Sequence, residues 1–365
     1  MKRISLYMIA FITSVLSYNT YCVEFTYGNL TPNEQYMLEL VNRLRANPTA
    51  EAKRMNVDLN DGLPPGTISS KPLPPLSSNG LLYKAAIDHC KDMAANKYFG
   101  HDSLDGRSPW ARIASAGYYT GIAENIAGSS DPYTAYSMFY IDYGVDSKGH
   151  RINMLSASSE VGLGLCDGGL YGGYSVQDFG ISGNQPILLG VIYDDVNNDG
   201  IANVTEGLSG VSITANTNNF ITTEAGGYGL KVNPGKLTVH YEHDVYGEVD
   251  KVVNVGYENV KVDVKRHEFK PLPLRNCSVM TDTSVKFDCV SYQGNIYNAV
   301  LDVVWKDTLY YKLQSASPSY IHGVCHSLAD GVLTINCVSY NNVKYSAHFT
   351  DQSNGLFKLK DYLIK

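Results

Sequence analysis

Two histidines and two carboxylates stand out because small or apolar residues surround them: His101 in YFGHDS, Glu124 in IAENIAG, Asp142 in MFYIDYG and His150 in GHRINML. If these side chains converge, the two imidazoles could bind a divalent metal such as zinc while the carboxylates orient the rings. A carboxylate–imidazole pair could instead serve as an acid–base couple. The simplest alternative is that all four are surface or helix-end residues with local partners, because none lies within one helical turn of another.

The elements that must position these residues lie between residues 28 and 183, where helical signals precede a β pattern. The segment TPNE at 31–34 is typical of a helix start with a capping box, and Ser108-Pro109 and Asp131-Pro132 predict two further starts. Another helix is predicted from about Leu81 to Tyr98, and the segments EVGLGLC and GGYSVQDFG predict strands. Helices packed on a sheet make this region an α/β sandwich.

Several motifs of this region follow one another in order: LYKAAIDHCKDMAANKYFGH, IAENIA, GHRINML, EVGLGL and GGYSVQDFG. With them the region resembles a bacterial CAP domain of the cysteine-rich secretory protein (SCP-like) family. The resemblance implies an α-β-α sandwich with a central cleft holding a His–Glu–acid–His tetrad, here His101, Glu124, Asp142 and His150. At the third position the family's other branch usually has glutamate, so the reach of the shorter aspartate is in question. His89 also matches a frequent family histidine, and we interpret it as structural.

The second region, residues 186–270, changes character to short strands separated by Gly, Asn and Pro. The strand segments are PILLGVIY, GVSITAN, GYGLKV, KLTVHYE and VKVDVK. No helical pattern accompanies them, so the composition predicts a β-sandwich.

A loop in this second region fits the calcium-binding pattern D-x-[DN]-x-[DN]-G-x5-E along its full length, as DVNNDGIANVTE. Asp195, Asn197, Asp199 and Glu206 would supply side-chain oxygens, and Ile201 would offer its carbonyl. The alternative is a polar hairpin turn, since Asp, Asn and Gly favour turns. Together with its strands, the region resembles the SdrD B-like or Cna B-like modules of bacterial surface proteins. The resemblance implies that calcium stiffens a spacer, which would orient the flanking domains.

The third region, residues 271–365, contains an internal repeat, because CSVMTDTSVKFDCVSY returns as CHSLADGVLTINCVSY. The equal cysteine spacing in both copies predicts Cys277–Cys289 and Cys325–Cys337 disulfides in a duplicated, disulfide-stapled all-β domain. The second copy faintly resembles cyanovirin-N homology domains, which implies carbohydrate binding; the alternative is a structural cap. A third disulfide, Cys90–Cys166, is also predicted, although Cys90 on an apolar helical stripe could instead be a buried thiol.

The first 22 residues have the charge and length of a secretory signal peptide, with Lys2 and Arg3 before a short apolar run. Removing them takes away two positive charges, so the formal net charge of −7 becomes −9. An acidic chain without a basic tract is a poor nucleic-acid ligand, and no later segment is long and apolar enough to span a membrane. Six cysteines would remain, which suits an extracellular or periplasmic protein.

These features favour a secreted, non-enzymatic recognition protein. Its CAP cleft would bind a lipid, glycan or protein ligand, its spacer would bind calcium, and its C-terminal domain would bind carbohydrate. The alternative is a secreted metal-dependent hydrolase that uses the cleft tetrad. Neither a GxSxG nor an HExxH motif occurs in the sequence, so the hydrolase has no motif of its own.

Overall fold

The structure is a computed structural model that describes most of the chain after the signal segment. The described residues are 25–181, 183, 185–243, 245–270, 278–279, 281, 284–292, 295–305, 309–318, 326–340, 343–352 and 356–364. The predicted signal peptide, residues 1–22, lies outside them, as do Cys277, Cys325 and the side chains of Cys289 and Cys337. The two disulfides expected in the third region therefore stay predictions.

The first domain contains six helices and four strands within the described residues. They are α1 (Pro32–Ala46), α2 (Pro48–Met55), β1 (Ser77–Ser78), α3 (Gly80–Asn96), α4 (Pro109–Ser115), β2 (Gly121–Ala127), α5 (Pro132–Ile141), α6 (Gly149–Met154), β3 (Glu160–Asp167) and β4 (Gly173–Gly180). The strands form one sheet in the order β1-β3-β4-β2, so β2 is an edge strand. This edge position leaves one side of β2 open for a groove.

The helix starts of this domain follow from their capping residues. Thr31 and Glu34 form the predicted capping box at the start of α1, and Ser108 and Asp131 accept backbone N–H groups at the starts of α4 and α5. The predicted helix from about Leu81 to Tyr98 begins at Gly80 and ends at Asn96. The helix starts predicted from Thr31, Ser108-Pro109 and Asp131-Pro132 are thus all found.

Helix α3 packs directly on the sheet because β3 has glycine where the two approach most closely. A Cβ atom on Gly162 would lie 2.0 Å from the backbone carbon of Leu82, and one on Gly164 would lie 2.7 Å from that of Ala86. The Cys90–Cys166 disulfide joins the same two elements. The predicted bridge is therefore formed, and Cys90 is not a free thiol.

The second domain consists of short strands in two sheets. The strands are β5 (Ile187–Tyr193), β6 (Ser212–Ala215), β7 (Asn218–Ile221), β8 (Gly227–Lys231), β9 (Gly235–His243), β10 (Gly247–Val255), β11 (Val260–Lys261) and β12 (Val264–Lys265), followed by a 3₁₀ turn at Arg266–Glu268. One sheet has the order β10-β9-β6-β7. In the other, β11 and β12 pair in parallel with β5 in one continuous register, and β8 pairs with β5 in the antiparallel direction. A single apolar cluster that includes Ile213, Tyr228 and Val239 lies between the two sheets.

The C-terminal domain is a single sheet in which strands from the two repeats are mixed. The strands are β13 (Ser278–Val279), β14 (Ser284–Tyr292), β15 (Asn295–Trp305), β16 (Leu309–Pro318), β17 (His326–Ala329), β18 (Val332–Tyr340), β19 (Val343–Asp351) and β20 (Leu356–Ile364). Their order is β13-β18-β17-β14-β15-β16-β20-β19, and an additional β18–β19 pairing closes it. In this register Ser278 lies opposite Val338 and Val290 opposite His326, so each repeat supplies strands that the other needs.

Candidate functional site

The first imidazole–carboxylate pair joins the segment after α3 to the edge strand. The Nδ1 atom of His101 lies 2.8 Å from Oε1 of Glu124, which is in β2. Glu124 is almost fully buried, whereas the His101 side chain is 52% exposed. The carboxylate therefore fixes the ring from inside the domain while the rest of the imidazole faces solvent.

Arg112 in α4 completes this pair, although sequence reasoning did not identify it. Its Nη2 donates to Oε2 of Glu124 at 2.6 Å, and its Nη1 donates to the carbonyl oxygen of His101 at 2.7 Å. One buried guanidinium thus holds both members of the pair. The helix start at Ser108 was predicted, but nothing in the local pattern indicated which residue of α4 would turn inward.

A second buried carboxyl, Asp178, was also missed. It lies directly opposite Glu124 in the β2–β4 register, and both of its oxygens are buried. Burial raises the pKa of Asp178 well above its ordinary value, and the Glu124 carboxylate raises it further, while Arg112 opposes the shift. Asp178 is therefore a buried carboxyl group whose surroundings favour its protonated form.

We expect Asp178→Asn to stabilise the domain at pH 8 relative to the wild type and to remove part of its pH dependence. A folded pKa above the unfolded one gives stability that is present at low pH and is lost as pH rises through the folded pKa. Asparagine keeps the shape of the neutral acid without ionising. The difference in free energy of unfolding between the variant and the wild type should change by up to about 1.4 kcal/mol per pH unit. Thermal unfolding between pH 5 and pH 8 measures it.

The control for this prediction is Asp105→Asn. Asp105 is an exposed carboxylate whose pKa is lowered by the backbone N–H and side chain of Arg107. Its stability contribution has the opposite sign, being lost as pH falls, and solvent screening makes it small. If Asp178→Asn follows the wild-type pH dependence throughout, the assignment of the protonated carboxyl is wrong.

The second pair lies where α5 ends and α6 begins. Asp142 caps α5 in a left-handed conformation with φ of 55°. Its Oδ2 accepts from the backbone N–H of His150 at 3.0 Å, and its Oδ1 lies 2.7 Å from the ring Nδ1 of the same residue. Asp142 is fully buried and the His150 side chain is 21% exposed. The shorter aspartate therefore reaches its histidine, because the helix end brings the two backbones together.

Strand β2 is the element that both pairs share. Glu124 holds His101, and the next residue, Asn125, donates to the backbone carbonyl of His150 at 3.1 Å. Neighbouring residues of β2 therefore contact the two pairs, Glu124 through its carboxylate and Asn125 through its amide. The structure thus brings the four predicted residues to adjacent positions of one edge strand as two pairs.

The donor set of these pairs fits a metal in one respect. Each carboxylate takes the Nδ1 of its imidazole, so the Nε2 of His101 and that of His150 are the nitrogens left to bind a ligand. Metal-binding histidines in proteins are commonly oriented in this way. The four residues do not, however, provide three ligand atoms within 4.8 Å of one another in the described part of the chain.

An open apolar groove begins at the second pair and runs along β2 and α5. Its volume is about 580 Å³, and Asp142 and His150 line one part of it. The remaining lining is mostly apolar and comes from Phe99, Ile126, Ala127, Tyr133, Met138, Phe139, Ile141, Tyr143 and Val145, with Thr134 and Ser137. His101 is not among the lining residues. The groove can therefore hold an apolar group next to a single imidazole–carboxylate pair.

His89, expected to be structural, is buried in α3. Its Nε2 lies 3.1 Å from the carbonyl oxygen of Gly100, and burial lowers its pKa. The imidazole is thus neutral and donates to the segment that carries His101, which is the structural role expected for it.

The predicted calcium loop forms a compact turn in the second domain. The Asp199 and Ile201 N–H groups donate to the side-chain oxygens of Asn197 and Asp199, respectively, each at 3.0 Å. Glu206, at the end of the loop, reaches back to accept from the N–H of Val196 at 3.1 Å. The oxygens follow the order that the motif requires.

One feature of this loop was not foreseen from the sequence. The ammonium of Lys265 lies 2.6 Å from Oδ2 of Asp195, and it lowers the pKa of that carboxyl. A calcium ion using Asp195 would have to compete with this lysine. The loop therefore has the donors of a cation site and an internal cation that opposes it.

Comparisons with known proteins identify the first domain. Residues 38–179 match the family model CAP, the cysteine-rich secretory protein family. The chain is also similar to the 1.5 Å crystal structure of an extracellular protein containing a SCP domain from Bacillus anthracis str. Ames, with 26% identity and a TM-score of 0.29. That similarity covers 42% of this chain and 45% of that one, so the chain spans less than half the length of that protein. No curated protein matches.

The predicted resemblance to the CAP family is thus confirmed for the first domain. The resemblances of the later regions to SdrD B-like or Cna B-like modules and to cyanovirin-N homology domains stay predictions. No helix among the described residues is long and apolar enough to cross a membrane.

Proposed function

Since residues 38–179 match the CAP family model, we propose that the chain is an exported recognition protein whose first domain, an α-β-α sandwich, binds a lipid-like ligand. The observation that carries the proposal is the apolar groove beside His150. Several of its lining residues are large, apolar and exposed, among them Tyr133, Met138 and Tyr143. Contiguous exposed apolar surface of this kind marks binding sites in soluble proteins.

The groove suits a ligand with an apolar body and one polar end. Besides the hydroxyls of Tyr133 and Tyr143, the polar groups of its lining within the described residues come from Thr134, Ser137, Asp142 and His150. The Nε2 of His150 can hydrogen-bond the polar end, while the apolar body covers Met138 and Tyr133. A glycan needs hydrogen bonds along its whole length, which this lining does not offer, so a lipid fits better than a sugar.

Titration of the full chain with a fluorescent long-chain fatty acid tests the proposal. Met138→Asp should weaken binding at least tenfold, because it places a charge on the apolar lining. Tyr119→Ser is the matched control, since Tyr119 is 79% exposed and lies outside the groove. Equal affinity in Met138→Asp and the wild type, or no binding of the fatty acid at all, would overturn the proposal.

The alternative function, a metal-dependent hydrolase, is favoured by the two imidazole–carboxylate pairs. The Nε2 atoms of His101 and His150 would hold a zinc-type ion, which when bound would supply Lewis-acid chemistry. Glu124 and Asp142 would orient the two rings by accepting their Nδ1 protons. Ester or peptide turnover that vanishes in Glu124→Ala while the circular dichroism spectrum is retained would establish this alternative over simple recognition.

For the second domain we propose a calcium-dependent spacer role. Its loop lies against the first domain, since the Ile201 side chain packs on that domain's main apolar cluster. The domains are also joined by the Lys261 ammonium, 2.8 Å from Glu39, and by Asn259, which donates to the carbonyls of Pro75 and Ser159. Calcium at the loop would thus stiffen a junction that protein contacts already define.

Calcium titration followed by thermal unfolding tests this role. Millimolar calcium should raise the melting temperature of the wild type, and Lys265→Met should respond at lower calcium because the competing ammonium is gone. Asp199→Asn with Glu206→Gln should lose the response. An unchanged melting temperature in both the wild type and Lys265→Met would refute the calcium site.

The C-terminal domain is proposed to bind carbohydrate, as its faint resemblance to cyanovirin-N homology domains implies. Its two repeats share one sheet, which gives it the closed core that a binding surface needs. A glycan array probed with the full chain tests the proposal, and silence across the array would favour a structural cap.

Export is supported by the Cys90–Cys166 disulfide, since such bonds persist in oxidising compartments. Mass spectrometry of the mature protein tests export, because the signal peptide should be missing from it.

A further inference from the structure

Two adjacent strands of the second domain place four titratable side chains on one exposed sheet face. Antiparallel β9 and β10 pair His240 directly with Asp250 and Glu242 directly with Glu248. Residues two apart on a strand point to the same face, so the four side chains form a square. None of them belongs to the first-domain groove or to the calcium loop.

Three of these residues have the spacing of metal ligands. One ligand atom each from His240, Glu242 and Glu248 lies within 4.8 Å of the other two, and no other such group occurs in the part of the chain that the structure describes. Glu242 and Glu248 are like charges directly opposite each other, an arrangement that destabilises a sheet and that a bound cation would offset.

The orientation of His240 supplies a second, independent argument. Its Nδ1 lies 2.7 Å from Oδ1 of Asp250, so this carboxylate fixes the ring. Its Nε2 then points at the carboxylate of Glu242, 3.2 Å away. A metal-binding histidine usually has an orienting carboxylate on its other ring nitrogen, the position that Asp250 takes behind His240.

We propose that His240, Glu242 and Glu248 bind a divalent transition metal of the zinc class, with Asp250 orienting the imidazole. One nitrogen and two carboxylate ligands suit zinc, cobalt or manganese, whereas the all-oxygen loop at Asp195 suits calcium. Three protein ligands leave a position for water. The metal would tie the edge strand β10 to β9 and so stabilise the sheet that carries them.

Isothermal titration of the full chain with zinc chloride tests the site. Excess calcium in the buffer occupies oxygen-only sites, and a background of His101→Ala with His150→Ala removes the first-domain imidazoles. In that background we expect His240→Ala, or Glu242→Gln with Glu248→Gln, to lose one equivalent of bound zinc. Asp250→Asn should keep the equivalent with 10–100-fold weaker affinity, the usual cost of losing an orienting partner.

The matched control is His348→Ala. His348 also has its Nδ1 next to a carboxylate on the neighbouring strand, 2.5 Å from Oδ1 of Asp361, but it belongs to no group of three ligand atoms in the described chain. The His348→Ala variant should bind as many equivalents of zinc as the background protein does. The proposal is overturned if His240→Ala keeps its zinc equivalent, or if His348→Ala loses as much zinc as His240→Ala does.

Discussion

Replacing Arg112 with methionine should destabilise the first domain by about 3–5 kcal/mol, which is the cost of removing one partner from a buried ion pair. The guanidinium is the counter-charge of Glu124 and also donates to the carbonyls of His101 and Arg107. Without it, the carboxylate of Glu124 would be buried beside Asp178 with a single imidazole partner. Hydrogen exchange of the β2 and β4 amides measures the loss locally, which matters because a chain of several domains has no single unfolding free energy.

Arg107→Met is the matched control for this prediction. Arg107 lies in the segment before α4, its side chain is 51% exposed, and its partner Asp105 is exposed as well. An exposed pair contributes little, so this variant should stay within about 0.5 kcal/mol of the wild type. Arg112→Lys should fall between the two, because lysine keeps the charge but cannot bridge Glu124 and two carbonyls at once. An equal loss of stability in Arg112→Met and Arg107→Met would show that the buried Arg112–Glu124 ion pair does not stabilise the domain more than an exposed pair does.

The sequence was sufficient to predict the elements with strong local signals. The capping residues Thr31, Ser108 and Asp131 each start a helix. Each of these signals depends on a few neighbouring residues. That is why they could be predicted without knowledge of the tertiary structure.

The strands β2 and β10 were not predicted because their polar residues break the expected alternation. In β2, Glu124 and Asn125 are buried side by side, and their partners lie in other elements, Arg112 in α4 and Gln177 in β4. β10 is an edge strand on which most side chains are only partly buried or exposed. Such positions do not require apolar residues, so the strand lacks the usual apolar pattern. The pattern of apolar residues within a segment does not reveal the residues of other segments that stabilise such strands.

The candidate site was predicted only in part for the same reason. The motifs identified His101, Glu124, Asp142 and His150, and the structure places them in two pairs at one edge strand. Asp178 could have been suspected, since alternation in GGYSVQDFG puts it on the same face of the strand as the apolar Val176. Its pairing with Glu124 depends on sheet register, which sequence alone did not specify.

Removing the Cys90–Cys166 disulfide should be the other large effect. The bond closes a sequence separation of 76 residues, for which the loss of chain entropy in the unfolded state corresponds to about 4 kcal/mol. We expect Cys90→Ala with Cys166→Ala to lose about 2–5 kcal/mol in the first domain, with alanine also leaving unfilled space in the cluster around Met93 and Tyr174. Hydrogen exchange in α3 and β3, with and without reductant, measures the loss.

The position of this bond predicts which half of the candidate site will respond. The disulfide holds α3 on β3. His101 lies in the segment that directly follows the end of α3 at Asn96. Asp142 and His150 are instead held by α5 and α6, which pack on each other and on β2. Exchange should therefore rise around His101 and stay near wild type around His150. Fatty-acid binding in the groove should be weakened only slightly, since Phe99 is the lining residue that the loosened segment supplies. Reductant should raise exchange in α3 and β3 of the wild type but not of the double variant, which has no disulfide to reduce. An equal rise in both proteins, or an equal rise around both histidines, would show that the disulfide does not act through α3.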